Sequence, residues 1–243
     1  MRTHSEGNSS GDDWRAALGE NGWAIVDDVP EAEAAEAALA ELGGLLEQYK
    51  GTIRHEVKAR PGFDDLQYSQ SRNGITPHTE APGLPVPPRY LALHCHRQAR
   101  CGGGQTLLAD GYAFVDSLDA ELAAEVRSRP IRFDLVANSG AGERDAIAAP
   151  IYTEGEPPVL RYSYNVLRDN SLDAPTHDDA LDLNGIDPFN AKLCRRGVTF
   201  MRGAGFGALP GDGSLLIFDN WRMLHARDSY QDPARHLTRY WVG

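Results

Sequence analysis

His78 and Glu80 stand one residue apart in NGITPHTEAP, and His225 stands far downstream in DNWRMLHARDSY. Their types and spacing suit metal chemistry. Two imidazoles and one carboxylate on one face of a metal, with the other positions open, form the set that holds Fe(II) for reaction with O2. On an extended strand residues i and i+2 point to the same side, so His78 and Glu80 can reach one ion. A His-x-Glu pair alone is equally a surface His and Glu; the sequence around it carries the case. His94 and His96, also two apart in YLALHCHR, have no third ligand near them and read as structural or surface residues.

The chain from His78 onward resembles the taurine dioxygenase and clavaminate synthase group of Fe(II)/2-oxoglutarate-dependent oxygenases. The matching pieces are NGITPHTEAP, then PPRYLALHCHRQARCGGGQTLLADGYAFVDSL, then LPGDGSLLIFDNWRMLHARDSYQDPARHLTRYWV. They cover residues 65–125 and 205–243, with a weaker match between. In that family a His-x-Asp/Glu pair precedes a strand and a Gly-Gly-x-Thr segment. A later block carries Gly-Asp, Asp-Asn, the distal His and an Arg beyond it. The resemblance implies that His78, Glu80 and His225 are the iron ligands and the catalytic centre. It implies that Thr106 hydrogen-bonds a carboxylate of 2-oxoglutarate and that Arg235 pairs with the distal one. Arg239 matches a second Arg that in amino-acid-oxidising members often faces the primary substrate. The His-to-Arg spacing varies among members, so the division of labour between Arg235 and Arg239 stays open. Ser71 and Asn73, in QYSQSRNG, are further candidates for the substrate pocket. Asp219 and Asn220 either orient the distal ligand or form a turn, and Arg227 reads equally as a surface ion pair.

These assignments make chemical sense. Three protein ligands leave room on iron for a chelating 2-oxo acid and O2. A buried distal carboxylate needs a paired cation, and a guanidinium offers two parallel donors in a fixed fork. Members that halogenate replace the carboxylate ligand with a small residue; Glu80 points to oxidation instead. The implied activity is hydroxylation of an unactivated C–H bond of a small molecule, with 2-oxoglutarate decarboxylated to succinate and CO2. Desaturation, epoxidation and cyclisation use the same residues. The His-Thr-Glu form is more typical of clavaminate-like members, which places an amino acid or derivative of specialised metabolism among the substrates to test. Two rival classes are a non-catalytic binding protein on the same barrel and a cupin-type metalloenzyme that does not use 2-oxoglutarate.

The elements that must position these residues are mostly strands. GWAIVDDV, RSRPIRFDLVA, PVLRYSYNV, SLLIFDN and RHLTRYWV read as strands. Arg235 and Arg239 then share a face, with His236 on the other. Helices are expected at residues 12–19, along EAEAAEAALAELGGLLEQY, along DSLDAELAAEVRS with Asp116 or Ser117 as cap, and, with a Gly-Ile-Asp-Pro break, along THDDALDLNGIDPFNAKLCRRG. Gly102–Gly104 lacks the Lys-Ser/Thr of a phosphate loop and reads as a connection needing positive φ. By resemblance the fold is mostly β with flanking α, a double-stranded β-helix (jelly-roll, cupin-like) core with iron near one mouth.

With 243 residues and no composition break, residues 1–243 read as one domain, with 1–11 flexible. Lys plus Arg number 24 against 35 Asp plus Glu, a net charge of −11. That disfavours nucleic acid and anionic membranes as partners. The sequence has neither a long apolar span nor a secretion signal, and its three cysteines (Cys95, Cys101, Cys194) form no disulfide framework. A cytoplasmic setting is expected. His55 and His177 read as solvated.

Overall fold

The computed structural model describes residues 2–3, 14–48, 51–134, 146–172, 174–177 and 179–243. Two sheets face each other. One runs in the order Arg2–Thr3, Phe206–Ala208, Thr106–Asp110, Met223–Arg227, Ile75–His78. The other runs Trp23–Val26, Ser214–Asp219, Tyr90–Arg97, His236–Val242, Leu45–Leu46, and His55–Lys58 also pairs with His236–Val242. All pairings are antiparallel except that of Arg2–Thr3 with Phe206–Gly207. This is the expected jelly-roll.

Period-two alternation builds three layers from the same strands. Leu91, Leu93, Cys95, Leu216, Phe218, Leu237 and Trp241 meet Leu108 and Met223 between the sheets. Their neighbours Ala92, Leu215, Ile217, Tyr240 and Val242 face outward and pack under helices Trp14–Asn21 and Ala32–Ala40 through Trp14, Leu18, Ala35 and Leu39. On the other flank Leu107, Ala109, Leu224 and Ala226 pack beneath Phe114, Leu122, Val126, Leu193, Val198 and Met201. Strands buried on both faces read as unbroken apolar runs, which is why SLLIFD shows no polar alternation.

Several local expectations change. PVLRYSYNV holds a strand only at Val159–Leu160; Ser163 then caps a helix, Tyr164–Asp169, by accepting from Val166 N. DSLDAELAAEVRS is not one helix capped at Asp116 or Ser117. Helix Gly111–Asp116 ends there, and Asp119 caps the next, Ala120–Ser128. The long C-terminal helix starts only at Pro188, behind the Asp187 cap, and runs to Ala204. The helix after Pro30 stops at Ala40, ahead of Gly43 and Gly44, and Leu45–Leu46 joins the sheet. The end of RSRPIRFDLVA (135–137), Asp178 and most of the expected flexible start (1 and 4–11) lie outside the described residues. No described helix is long and apolar enough to cross a membrane.

Candidate metal and co-substrate site

His225 and His78 are direct partners across an antiparallel pair, with ring centroids 4.0 Å apart. Ligand atoms of His78, Glu80 and His225 all lie within 4.8 Å of one another, and among the described residues this is the one group of at least three such side chains that does so. Glu80 Oε2 sits 3.9 Å from His225 Nε2. His78 Nδ1 donates to Thr76 O at 2.9 Å, which fixes the tautomer and leaves Nε2 with its lone pair. Burial holds the basicity of His78 below the ordinary histidine range and that of His225 well below it, with His78 itself adding to the effect on His225. Both rings are therefore neutral near neutral pH, the form a metal ligand requires.

The expectation of a single strand carrying His78 and Glu80 needs correction. The strand ends at His78, and Pro77, which offers no N–H, accompanies a register shift between His225 and Arg227. Thr79 N donates to Tyr162 O at 2.7 Å, and Tyr162 N to Thr79 Oγ1 at 3.0 Å. Glu80 is held by Asn220. Its N–H donates to Asn220 Oδ1 at 2.7 Å, and Asn220 Nδ2 donates to Glu80 O at 3.1 Å and Pro88 O at 2.9 Å. Asn220 thus orients a candidate ligand, though it is the Glu and not the distal His. Asp219 serves the turn, accepting from Trp221 N and pairing with Arg89 at 2.6 Å.

Beside these three side chains lies a cavity lined by Leu91, Leu93, Thr106, Arg227, Arg235 and Arg239. Arg235 is 1% exposed, and its Nε and Nη1 have no hydrogen-bond partner among the described residues. It lies over the Tyr230 ring, 5.1 Å from centroid, with no ion pair among the described residues. Burial lowers its basicity. A guanidinium with two unmet buried donors is costly unless an anion completes it. The glycine loop makes room for it: Gly104, at φ +79°, has Arg235 Nε 3.0 Å from where a Cβ would sit, and a Cβ on Gly103 would lie 2.3 Å from Ser229 O. Thr106 is buried on the same wall. The residues present therefore fit Fe(II) and a dicarboxylate.

A second cavity shares His78, Glu80, Ser69 and Arg239 with the first and adds Gln67, Tyr68, Thr79, Ser163, Asn165 and Leu172. Arg239 stands between the two cavities. Its Nη1 pairs with Glu80 Oε1 at 2.8 Å, and its Nε donates to Gln48 Oε1 at 2.9 Å. Gln48 Nε2 in turn donates to Arg239 O and Ile53 O.

Ser71 and Asn73 line neither of these cavities. Ser71 Oγ donates to Tyr68 O, and Asn73 Nδ2 bridges Leu66 O and Thr176 Oγ1, each at 3.0 Å. Both tie down the loop instead. Arg227 is no surface ion pair: it is buried and donates to backbone carbonyls, and desolvation brings its basicity down to about 9. His55 is not solvated; burial and nearby Arg239 push it down to about 3, and it bonds Ser69 Oγ. His177 is half-buried against Asp169 at 3.1 Å. His94 bonds Val29 O, and His96 bonds Thr238 Oγ1, both structural uses. His236 faces Glu56, away from Arg235. Gln48 and Arg161, which donates to Pro82 O, Leu84 O and Pro85 O, were not singled out from sequence. No motif marks either.

Residues 3–193 and 211–241 match the family described as "Taurine catabolism dioxygenase TauD, TfdA family", and the chain belongs to it. Clavaminate synthase 2 of Streptomyces clavuligerus is 29% identical over 191 residues, 77% of this chain and 54% of that protein. Gamma-butyrobetaine dioxygenase of Homo sapiens is 27% identical over 200 residues, 75% of this chain and 48% of that protein. The chain spans about half the length of these relatives. Among solved structures, asparagine oxygenase in complex with Fe(II), 2S,3S-3-hydroxyasparagine and succinate superposes with a TM-score of 0.71 at 18% identity, over 94% of this chain and 76% of that one. Non-heme iron oxygenase OrfP with Fe and alpha-ketoglutaric acid superposes at 0.66 and 17% identity, over 95% and 77%. These likenesses establish the double-stranded β-helix fold.

Proposed function

We propose that this protein is an Fe(II)/2-oxoglutarate-dependent oxygenase that hydroxylates a C–H bond of a small molecule, releasing succinate and CO2. The observation that carries the reading is the convergence of His78, Glu80 and His225 beside a cavity in which Arg235 keeps two buried donors unmet. His78, Glu80 and His225 would hold the iron, Thr106 would donate to a carboxylate of 2-oxoglutarate, and Arg235 would pair with the distal one. The bound metal and co-substrate supply the activation of O2. The chain's own work is placement. Asn220 and Thr79 fix the backbone that carries Glu80, Thr76 fixes the His78 tautomer, and the apolar wall of Leu91 and Leu93 excludes water.

For the substrate, an amino acid or derivative is the reading to test first. The chain's relatives include clavaminate synthase 2, and its fold is shared with an asparagine oxygenase and with OrfP. Arg239, at the boundary of the two cavities, is the candidate partner for a substrate carboxylate. Ser71 and Asn73 drop out of that role because their side chains are committed elsewhere. Residues 1–243 are taken as one oxygenase domain. The thiols of Cys95, Cys101 and Cys194 are free, which suits a reducing cytoplasm.

The test is an anaerobic titration with Fe(II) and then 2-oxoglutarate, following the weak visible metal-to-ligand charge-transfer band. The band is expected, and is expected to vanish in His78→Ala and Arg235→Ala. Fe(II) binding without the band would shift the assignment to a 2-oxoglutarate-independent cupin-type enzyme or a non-catalytic binder. Substrate-coupled succinate release separates the proposed oxygenase from both.

A further inference from the structure

Arg227 lies two residues beyond His225 on the strand that walls the co-substrate cavity. Its Nη1 donates to Ser69 O at 3.1 Å. Its Nη2 donates to Tyr68 O at 3.2 Å, Ser71 O at 2.7 Å and Asn73 O at 2.6 Å, and lies 3.4 Å from Ser71 Oγ. One buried guanidinium therefore gathers four carbonyls of segment 68–73. Tyr68 and Ser69 of that segment line the second cavity, and Ser69 lines the co-substrate cavity as well. Arg227 Nε is buried without a partner among the described residues.

Arg227 also shares a ring with Arg235. The Tyr230 centroid is 5.2 Å from the Arg227 guanidinium and 5.1 Å from that of Arg235. Tyr230 Oη donates to Ser71 O at 3.3 Å, and Tyr230 N to Arg72 O at 3.0 Å. Two buried like charges about one phenol repel, and burial leaves that repulsion poorly screened. An anion on Arg235 relieves it.

We propose that Arg227 is a positioning residue that transmits co-substrate binding to the wall of the substrate cavity, through its shared contact with Tyr230 and its grip on the carbonyls of 68–73. The proposal rests on the reading that a dicarboxylate binds Arg235. With that anion in place the repulsion across Tyr230 falls, the hold that Arg227 already has on the four carbonyls tightens, and segment 68–73 stiffens before the substrate arrives.

The test is amide hydrogen exchange of peptides spanning 66–74 in the full chain loaded with Mn(II), with and without 2-oxoglutarate, whose own dissociation constant is measured in parallel. In the wild type, 2-oxoglutarate is expected to slow exchange there by about tenfold. In Arg227→Met exchange is expected to be fast, with the 2-oxoglutarate effect reduced to within about twofold at concentrations that the variant's own dissociation constant shows to be saturating. Arg227→Lys, which keeps the charge but cannot span four carbonyls, is expected to fall between. A merely structural Arg227 would speed exchange in both states and preserve their ratio, and that result overturns the proposal. So does a wild type that binds 2-oxoglutarate with unchanged exchange, a measurement needing no variant. A wild type that binds no 2-oxoglutarate fails at the earlier step, and overturns the proposed function along with this one.

Discussion

Asn220→Ala removes the clamp on Glu80 without replacing any of the three candidate ligands. Three hydrogen bonds go: from Glu80 N, to Glu80 O and to Pro88 O. Asn220 is 1% exposed, so the three backbone groups stay buried. Each unmet group costs about 1–3 kcal/mol, and local relaxation with water entry brings the total to about 3–5 kcal/mol. For a chain of this size that lowers Tm by roughly 6–20 °C, within the ~5–15 kcal/mol that a folded domain holds in reserve. Glu80 also loses the anchor that aims its carboxylate, and loss of such an outer-shell partner weakens metal binding by about 10–100-fold. Thermal unfolding and an anaerobic Co(II) titration read by d–d absorption measure the two effects separately. Arg161→Met is the control. It leaves the carbonyls of Pro82, Leu84 and Pro85 unmet, so it should lose similar stability, but it makes no contact with Glu80 and should keep Co(II) affinity within about threefold. Full loss of stability in Asn220→Ala with Co(II) affinity unchanged within twofold would refute the reasoning, because Glu80 would then be placed by the rest of the fold.

Arg235→Lys should weaken 2-oxoglutarate binding by about 10–100-fold while leaving Fe(II) affinity intact, since an ammonium cannot reproduce the two-pronged contact; an unchanged charge-transfer titration would hand the role to Arg239. Asn73→Ala should lower Tm by about 3–8 °C through the lost bridge between Leu66 O and Thr176 Oγ1; an unchanged melting curve would show that the bridge carries no weight. Cys101 is exposed and its thiol is eased below the ordinary range by backbone N–H donors of Gln231 and Gly103, whereas burial pushes Cys95 and Cys194 up to about 12. Raising the pH toward 8 therefore enlarges the thiolate fraction at Cys101 alone. Peptide mapping after brief alkylation of the folded protein should find label only there, and label on Cys95 or Cys194 would contradict the burial described.

What could be read from sequence was whatever leaves a chemical signature along the chain. The convergence of His78, Glu80 and His225 was legible because a metal would demand those residue types together, and the burial of Arg235 beside them because a buried dicarboxylate would demand a guanidinium. The strands were legible where an apolar run was long, as in SLLIFD, or where residues favouring pleated structure gathered, as in HLTRYWV. PVLRYSYNV failed because its apolar and aromatic residues are buried in both a short strand and a helix, and periodicity over so few residues cannot separate the two. Arg227, Arg161 and Gln48 failed for a different reason. Each serves backbone carbonyls, and any segment supplies carbonyls, so nothing in the partner sequence records the contact. Ser71 and Asn73 failed in the reverse sense: polar residues near a site were taken to face it, and their hydrogen bonds turn them back to the loop.

The direct opposition of His78 and His225 across one antiparallel pair carries a consequence for how this chain can vary. Side chains alternate from face to face along a strand, so deleting one residue between Ile75 and His78, or between Met223 and His225, turns one imidazole out of the barrel. Changes of length there must come in twos or be absorbed by a compensating bulge. A metal held at the proposed site would be a staple between neighbouring strands, each supplying one leg. Stripping the ion should loosen that strand pair ahead of the rest of the sheet, and exchange at Ile75–His78 would then serve as a gauge of how much of the protein in a preparation carries metal.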